Sequence, residues 1–155
     1  MTDGAALLRP ARIEEAGDIA RLLLTYAMKD LLLPRSEQEI QDQIDHFLVA
    51  DLAARVVGCV SLRDYGNGLW EVRSLAVRQE AEGHGLGTEL VQAAVALARA
   101  RQAERIFALT LRPHLFTRLG FAVVEKELFP EKVWTDCERC TKREFCDETA
   151  VLLDV

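Results

Sequence analysis

Positive charge is in short supply. Lys and Arg number 19 against 25 Asp and Glu, a formal charge of −6 over 155 residues. A surface of that sign repels nucleic acid and anionic membranes, so neither is an expected partner. Long apolar runs are missing too, with none near the roughly 20 residues needed to span a bilayer. Met1-Thr2-Asp3-Gly4 is not a positive segment leading into an apolar one, so no export signal is expected. Repeats, low-complexity tracts and linkers are absent. What is present, 50% apolar and 28% charged residues, is the balance of a soluble globular chain. The expectation is one cytoplasmic domain over residues 1–155, its four cysteines reduced. Any large anionic ligand then requires a local positive pole.

Periodicity divides the chain into alternating elements. Ala5–Leu8, ended by Arg9-Pro10, reads as an edge strand. Glu14–Tyr26 carries Ala16, Ile19, Leu22, Leu23 and Tyr26 at helical spacing. Pro34 interrupts that pattern, because the residue before a proline is driven out of the α region. Ser36 with Glu39 three residues on forms a capping box that opens a second helix towards Asp45. From Phe47 the period falls to two. Strands are expected at Phe47–Val49, Arg55–Arg63 and Leu69–Val77, with a turn near Ala53 and a hairpin at Asp64–Gly68. A long helix from about Gly85 to Arg101 places Leu86, Leu90, Ala94 and Leu97 on one face. Ile106–Leu111 reads as a buried strand, Pro113 starts a short helix, and Phe121–Leu128 and Ala150–Val155 are the last strands. The class is α/β, with hairpin-linked strands first and strand–helix–strand units after.

Between the strand ending at Val77 and the long helix lies Glu82-Gly83-His84-Gly85-Leu86-Gly87-Thr88. Glycine lets backbone N–H groups approach a ligand, and a helix N-terminus adds unpaired donors and partial positive charge. A P-loop needs Gly-Lys-Ser/Thr, and Gly87 is followed directly by Thr88. A Rossmann fingerprint needs G-x-G-x-x-G, and the third glycine is missing in either register. An ordinary glycine-eased turn is the plain alternative.

Glu82-Gly83-His84-Gly85-Leu86-Gly87 resembles the pyrophosphate motif Q/R-x-x-G-x-G/A of the GNAT acetyltransferases, with Glu82 at its first position. Leu75-Ala76-Val77 resembles the strand end before that motif, and Leu119-Gly120-Phe121 the later L-G-F signature. The likeness covers nearly the whole chain. It implies an α/β (α+β) GNAT fold: a central mixed, mostly antiparallel sheet, splayed at the acetyl-CoA site and flanked by helices. Acetyl-CoA would be the co-substrate, with Gly83, His84, Gly85, Leu86, Gly87 and Thr88 at its pyrophosphate. Its pantetheine arm would lie between the strand ending at Val77 and that starting near Ile106. Backbone groups of Leu75 and Val77 would bond the arm and stabilise a developing oxyanion; both side chains also suit plain core packing.

The same resemblance assigns a proton acceptor for the acceptor ammonium. Glu71 matches an acid found there in amino-acid acetyltransferases, the alternative being an exposed strand charge. Where many GNAT enzymes carry a tyrosine acid this chain has Phe116, expected to pack against the cofactor. A thiol pKa near ~8.5 makes CoA a fair leaving group without that acid. His114 reads as a helix-start polar residue.

Three segments resemble the short form of bacterial N-acetylglutamate synthase: Leu31-Leu32-Leu33-Pro34-Arg35, Glu71-Val72-Arg73-Ser74-Leu75-Ala76-Val77 and Phe129-Pro130-Glu131-Lys132-Val133-Trp134. Glutamate's two carboxylates suit Arg or Lys, so Lys29, Arg35 and Arg73 are the expected acceptor-binding residues. Each also reads as a solvated charge. Strand alternation puts Glu71, Arg73 and Leu75 on one face. Cys137, Cys140 and Cys146 crowd one segment; a zinc site is open to them, but bracing thiols are the favoured reading.

Two kinds of activity and one non-catalytic role follow. The first is acetyl transfer to an amino acid, L-glutamate foremost, at the start of arginine biosynthesis. The second is transfer to another amino acid, amine or protein N-terminus. The third is a silent acyl-CoA- or metal-binding sensor. The partner is a small-molecule amino acid, and a homodimer is open to the chain.

Overall fold

Near-continuous buried runs make up the central strands of one sheet. The computed structural model describes residues 6–27, 35–125 and 148–155. Strands β1 (Leu7–Pro10), β2 (Phe47–Leu52), β3 (Arg55–Asp64) and β4 (Leu69–Val77) form an antiparallel series. Ala53 and Ala54, at φ 54 and 66, close the β2–β3 hairpin in the left-handed region without a glycine. β5 (Arg105–Thr110) runs parallel to β4. The last strand, β7 (Thr149–Asp154), inserts between β5 and β6 (Ala122–Val124), giving the order β1-β2-β3-β4-β5-β7-β6. Of the strand expected at Phe121–Leu128, residues 126–128 lie outside the described residues.

Helices cover both faces. α1 (Ala16–Ala27) follows a 3₁₀ turn at Ile13–Glu15, so the α-helix starts two residues later than the periodicity suggested. α2 (Glu37–Asp42) carries the expected capping box: Glu39 N–H donates to Ser36 Oγ at 3.1 Å and Ser36 N–H to Glu39 Oε1 at 3.0 Å. It stops short of Asp45, tightening to a 3₁₀ turn at Ile44–His46. These helices bury Ile19, Leu23 and Ile40 against Phe47, Val49, Cys59 and Ala76. On the other face α3 (Leu86–Ala100) buries Leu86, Leu90, Val91, Ala94 and Ala98 over Val60, Trp70, Val72 and Ile106. Ala98 takes the place expected of Leu97, which is half-buried. Burial pushes the Cys59 thiol up to about 12, so it stays neutral, its Sγ 3.3 Å from the Ser74 carbonyl.

The sheet edge is tied by charge to the 3₁₀ turn that precedes α1. Arg9 on β1 bonds Glu15 Oε2 at 2.6 Å and Asp51 Oδ2 at 3.1 Å. Hydrogen bonds from Arg9 hold the Glu15 carboxyl below its ordinary value, against the cost of burial. A carboxyl depressed on folding stabilises above its unfolded pKa, and that stabilisation is lost as pH falls through the folded value. Glu15→Gln is expected to cost about 1 kcal/mol at pH 7, with solvent screening allowed for. Urea unfolding at several pH values checks this: the difference from the parent should shrink progressively in acid.

Candidate active site

A bulge in β4 determines what each face of the sheet presents. Ser61 pairs with Arg73 and Cys59 with Ala76, so Val60 alone faces Ser74 and Leu75. Ser74 adopts φ 55, a conformation that costs an L-residue about 1–2 kcal/mol. The extra residue reverses side-chain alternation. Before it Trp70 and Val72 join the α3-side core; after it Leu75 packs against that core and Val77 joins it, while Ala76 enters the opposite one. Glu71 and Arg73 therefore face α2 and Leu75 does not, which corrects the expectation of one shared face.

Just before the bulge, β4 parts from β5. Their parallel ladder covers only Leu69–Glu71 and Arg105–Phe107, whereas β5 pairs with β7 along all of Arg105–Thr110, so Ala108–Thr110 are laddered on the β7 side alone. A wedge opens between Val72–Val77 and β5, where the resemblance expected a splay. Arg78 N–H goes back to Val57 on β3, so the backbone of Val77 points the other way, into the wedge. There the Tyr26 hydroxyl accepts from Val77 N–H at 3.1 Å and lies 2.8 Å from the Val77 carbonyl and 3.2 Å from Glu82 Oε2. Burial, reinforced by the Glu82 carboxylate, raises the Tyr26 hydroxyl above its ordinary value, so it remains a donor. Helical spacing had marked Tyr26 only as part of an apolar stripe; nothing local announces the role of its hydroxyl.

The glycine turn divides by function. Gly83 and Gly85 have φ 86 and 78, and a Cβ added at either meets nothing within 4 Å. Their backbone is left-handed beneath open space, with the N–H groups of the first α3 turn, Leu86 to Thr88, beside it. Glu82 and His84 are exposed, while the Leu86 side chain belongs to the core, leaving only its backbone to a ligand. Gly87 has a different reason to be small: its Cβ would come within 3.2 Å of Leu115 on α4 (Pro113–Thr117). Phe116 is 2% exposed, its ring edge-on to Phe121 at 5.2 Å, so it is a core residue of α4. His114 is exposed.

On the α2 side lies a cavity of about 320 Å³, lined by Arg35, Glu39, Arg63, Arg73, Ser61 and Ser74 among others. Arg35 and Arg73 were expected there; Arg63 was missed, a strand-end charge whose pairing opposite Glu71 appears only in the folded sheet. Glu71 is 1% exposed, which removes the exposed-charge alternative. Its Oε1 accepts from the Tyr65 hydroxyl at 2.8 Å and lies 3.8 Å from Arg73 Nη1. Lys29, Cys137, Cys140 and Cys146 lie outside the described residues, as do Leu31–Pro34 and Phe129–Trp134.

A sequence model of the Acetyltransferase (GNAT) family matches residues 17–121. The chain belongs to that family. This acetyltransferase is 40% identical to an uncharacterised N-acetyltransferase of Chlorobaculum tepidum, over 94% of both chains. It is 35% identical to an amino-acid acetyltransferase of Mycobacterium tuberculosis, covering 79% of this chain and 72% of that one. Among solved structures it is similar to a Mycobacterium tuberculosis protein in complex with CoA (28% identity, TM-score 0.82, 96% and 99% of the two chains). It also shares its fold with N-acetylglutamate synthase of Neisseria gonorrhoeae (23% identity, TM-score 0.85, 99% of this chain and 36% of that one). The enzyme is an acetyl-CoA-dependent acetyltransferase. No helix among the described residues is long and apolar enough to cross a membrane.

The acetyltransferase has features that suit an elongated anionic thioester: open left-handed backbone at Gly83 and Gly85, a helix N-terminus, and a wedge lined by unladdered backbone. The division among the glycines is testable by urea unfolding. Gly87→Val is expected to lose about 1–3 kcal/mol by overpacking against Leu115. His84→Ala, on the exposed turn, should stay within about 0.5 kcal/mol. Equal losses would contradict the assignment.

Proposed function

We propose that this acetyltransferase moves the acetyl group of acetyl-CoA to the α-amine of an amino acid, L-glutamate foremost, the opening acetylation of arginine biosynthesis. The observation that carries the reading is a buried carboxylate, Glu71, beside Arg73 and an arginine-lined cavity of amino-acid size. An amino acid presents an ammonium and a carboxylate on one carbon, and Glu71 and Arg73 complement that pair. Relatives named amino-acid acetyltransferase support the assignment.

In this mechanism the turn at Gly83–Thr88 holds the pyrophosphate and the backbone of Leu75 and Val77 holds the arm, displacing the Tyr26 hydroxyl. Glu71 takes a proton from the acceptor ammonium, directly or through one water. The amine nitrogen then bonds to the acetyl carbon, the carbon–sulfur bond breaks with its electron pair leaving on sulfur, and the nitrogen gives up its second proton to the departing thiolate or to water. A thiol of pKa near ~8.5 departs without a dedicated acid, consistent with a core phenylalanine at position 116.

The test is purified protein with acetyl-CoA and a panel of amino acids, following free thiol. Glutamate-dependent release is expected; release with other amines alone would reassign the acceptor, and tight binding without turnover would indicate a sensor. Glu71→Gln should slow turnover about 100-fold near neutral pH and lose less at high pH, where the amine is already unprotonated. An unchanged pH–rate profile would remove Glu71 from this role. Tyr26→Phe should tighten CoA binding about threefold to tenfold by removing a competitor for the Val77 backbone, as read by calorimetry.

A further inference from the structure

Three arginines line the cavity, Arg35, Arg63 and Arg73, more than an α-amino acid's own carboxylate needs. Ser61 and Arg63 on β3 lie opposite Arg73 and Glu71 on β4, and Ser61, Arg63 and Arg73 all line the cavity. If Glu71 and Arg73 meet the ammonium and α-carboxylate, the acceptor's side chain must extend to what remains. Two guanidiniums then remain, Arg35 ahead of α2 and Arg63 on the sheet, and Arg63 is the one paired directly opposite Glu71. Its guanidinium lies over the Tyr65 ring, 4.7 Å from the centroid, and Tyr65 in turn donates to Glu71. Stacking on an aromatic face orients the guanidinium plane, and a planar fork suits a carboxylate bidentately. Glu39, an exposed carboxylate on the α2 wall, also lines the cavity and opposes an excess of negative charge there.

We propose that Arg63 determines specificity by binding the side-chain carboxylate of the acceptor, selecting amino dicarboxylic acids over their neutral amides. This rests on the reading of the cavity as the acceptor site and names the residue that reads the acceptor's far end. Arg63 touches substrate but takes no part in proton transfer or bond making. Its loss therefore appears in KM for the acceptor and leaves kcat and KM for acetyl-CoA nearly unchanged. Charge-assisted bidentate contacts of this kind predict a KM rise of about 10- to 100-fold for glutamate on Arg63→Gln. Glutamine, lacking the second charge, should change by less than about threefold, and Arg63→Lys should restore part of the preference.

The experiment compares parent, Arg63→Gln and Arg63→Lys in turnover of L-glutamate and L-glutamine, with a calorimetric titration of glutarate in the presence of CoA. Glutarate has two carboxylates and no amine, so it reports on the cavity even where glutamate is not turned over. The expected result is glutarate binding to the parent, weakened at least tenfold in Arg63→Gln and partly recovered in Arg63→Lys. Equal weakening of glutamate and glutamine, glutarate binding unaffected by Arg63→Gln, or no glutarate binding to the parent would each overturn the proposal. Glutarate binding that depends on Arg63 without glutamate turnover would uphold the carboxylate site and reject the glutamate reaction.

Discussion

At Ser74 the backbone of β4 turns left-handed and the ladder with β3 gains a residue, three positions after the ladder with β5 ends at Glu71. These two departures from regular pairing depend on each other. A strand still hydrogen-bonded on both sides cannot open a wedge, and one without a bulge cannot change which side chains face each helix layer. Upstream of Ser74, the sheet presents Arg73 to the cavity under α2 with the buried Glu71 beside it; downstream it offers the unladdered backbone of Val77 to the wedge. Two substrates can thus approach one strand from different sides and meet at the bulge. The local strain at Ser74 is small beside the burial of the strand on both faces.

The same division resolves the charge problem posed by a chain of net −6. Neither proposed anion site needs a basic surface. Around Gly83 and Gly85, partial positive charge comes from backbone N–H groups and the α3 terminus. In the cavity it comes from Arg35, Arg63 and Arg73, with Glu39 and Glu71 limiting the local excess. An acidic exterior with confined positive pockets excludes polyanions while admitting small ones.

Elements with local signatures were readable from the sequence: the capping box at Ser36 and Glu39, the glycine turn, and the positions of β3 and β4, which are buried almost throughout rather than on alternate residues. The chemistry that depends on register was not. Ser74 carries no residue-type mark of a bulge, so alternation placed Leu75 on the wrong face. Tyr26 sits at apolar helical spacing, and only packing brings its hydroxyl to Val77, 51 residues away. Arg63 enters the sequence reading only as the end of a strand, and its place opposite Glu71 follows from the β3–β4 register. Glu71 was picked out by resemblance, but its burial is a tertiary fact, as is the enclosure of Phe116 beside Phe121.

Amide hydrogen exchange, resolved by residue with and without saturating CoA, bears most directly on the idea that one bulged strand and its wedge receive the cofactor. The expected result is new protection confined to Leu75, Val77 and Gly83–Thr88, with β1 and β2 unchanged. Val77, already bonded to the Tyr26 hydroxyl, should gain less than Leu75. Protection that bypasses Leu75 and Val77, or that appears instead along β1 and β2, would contradict it.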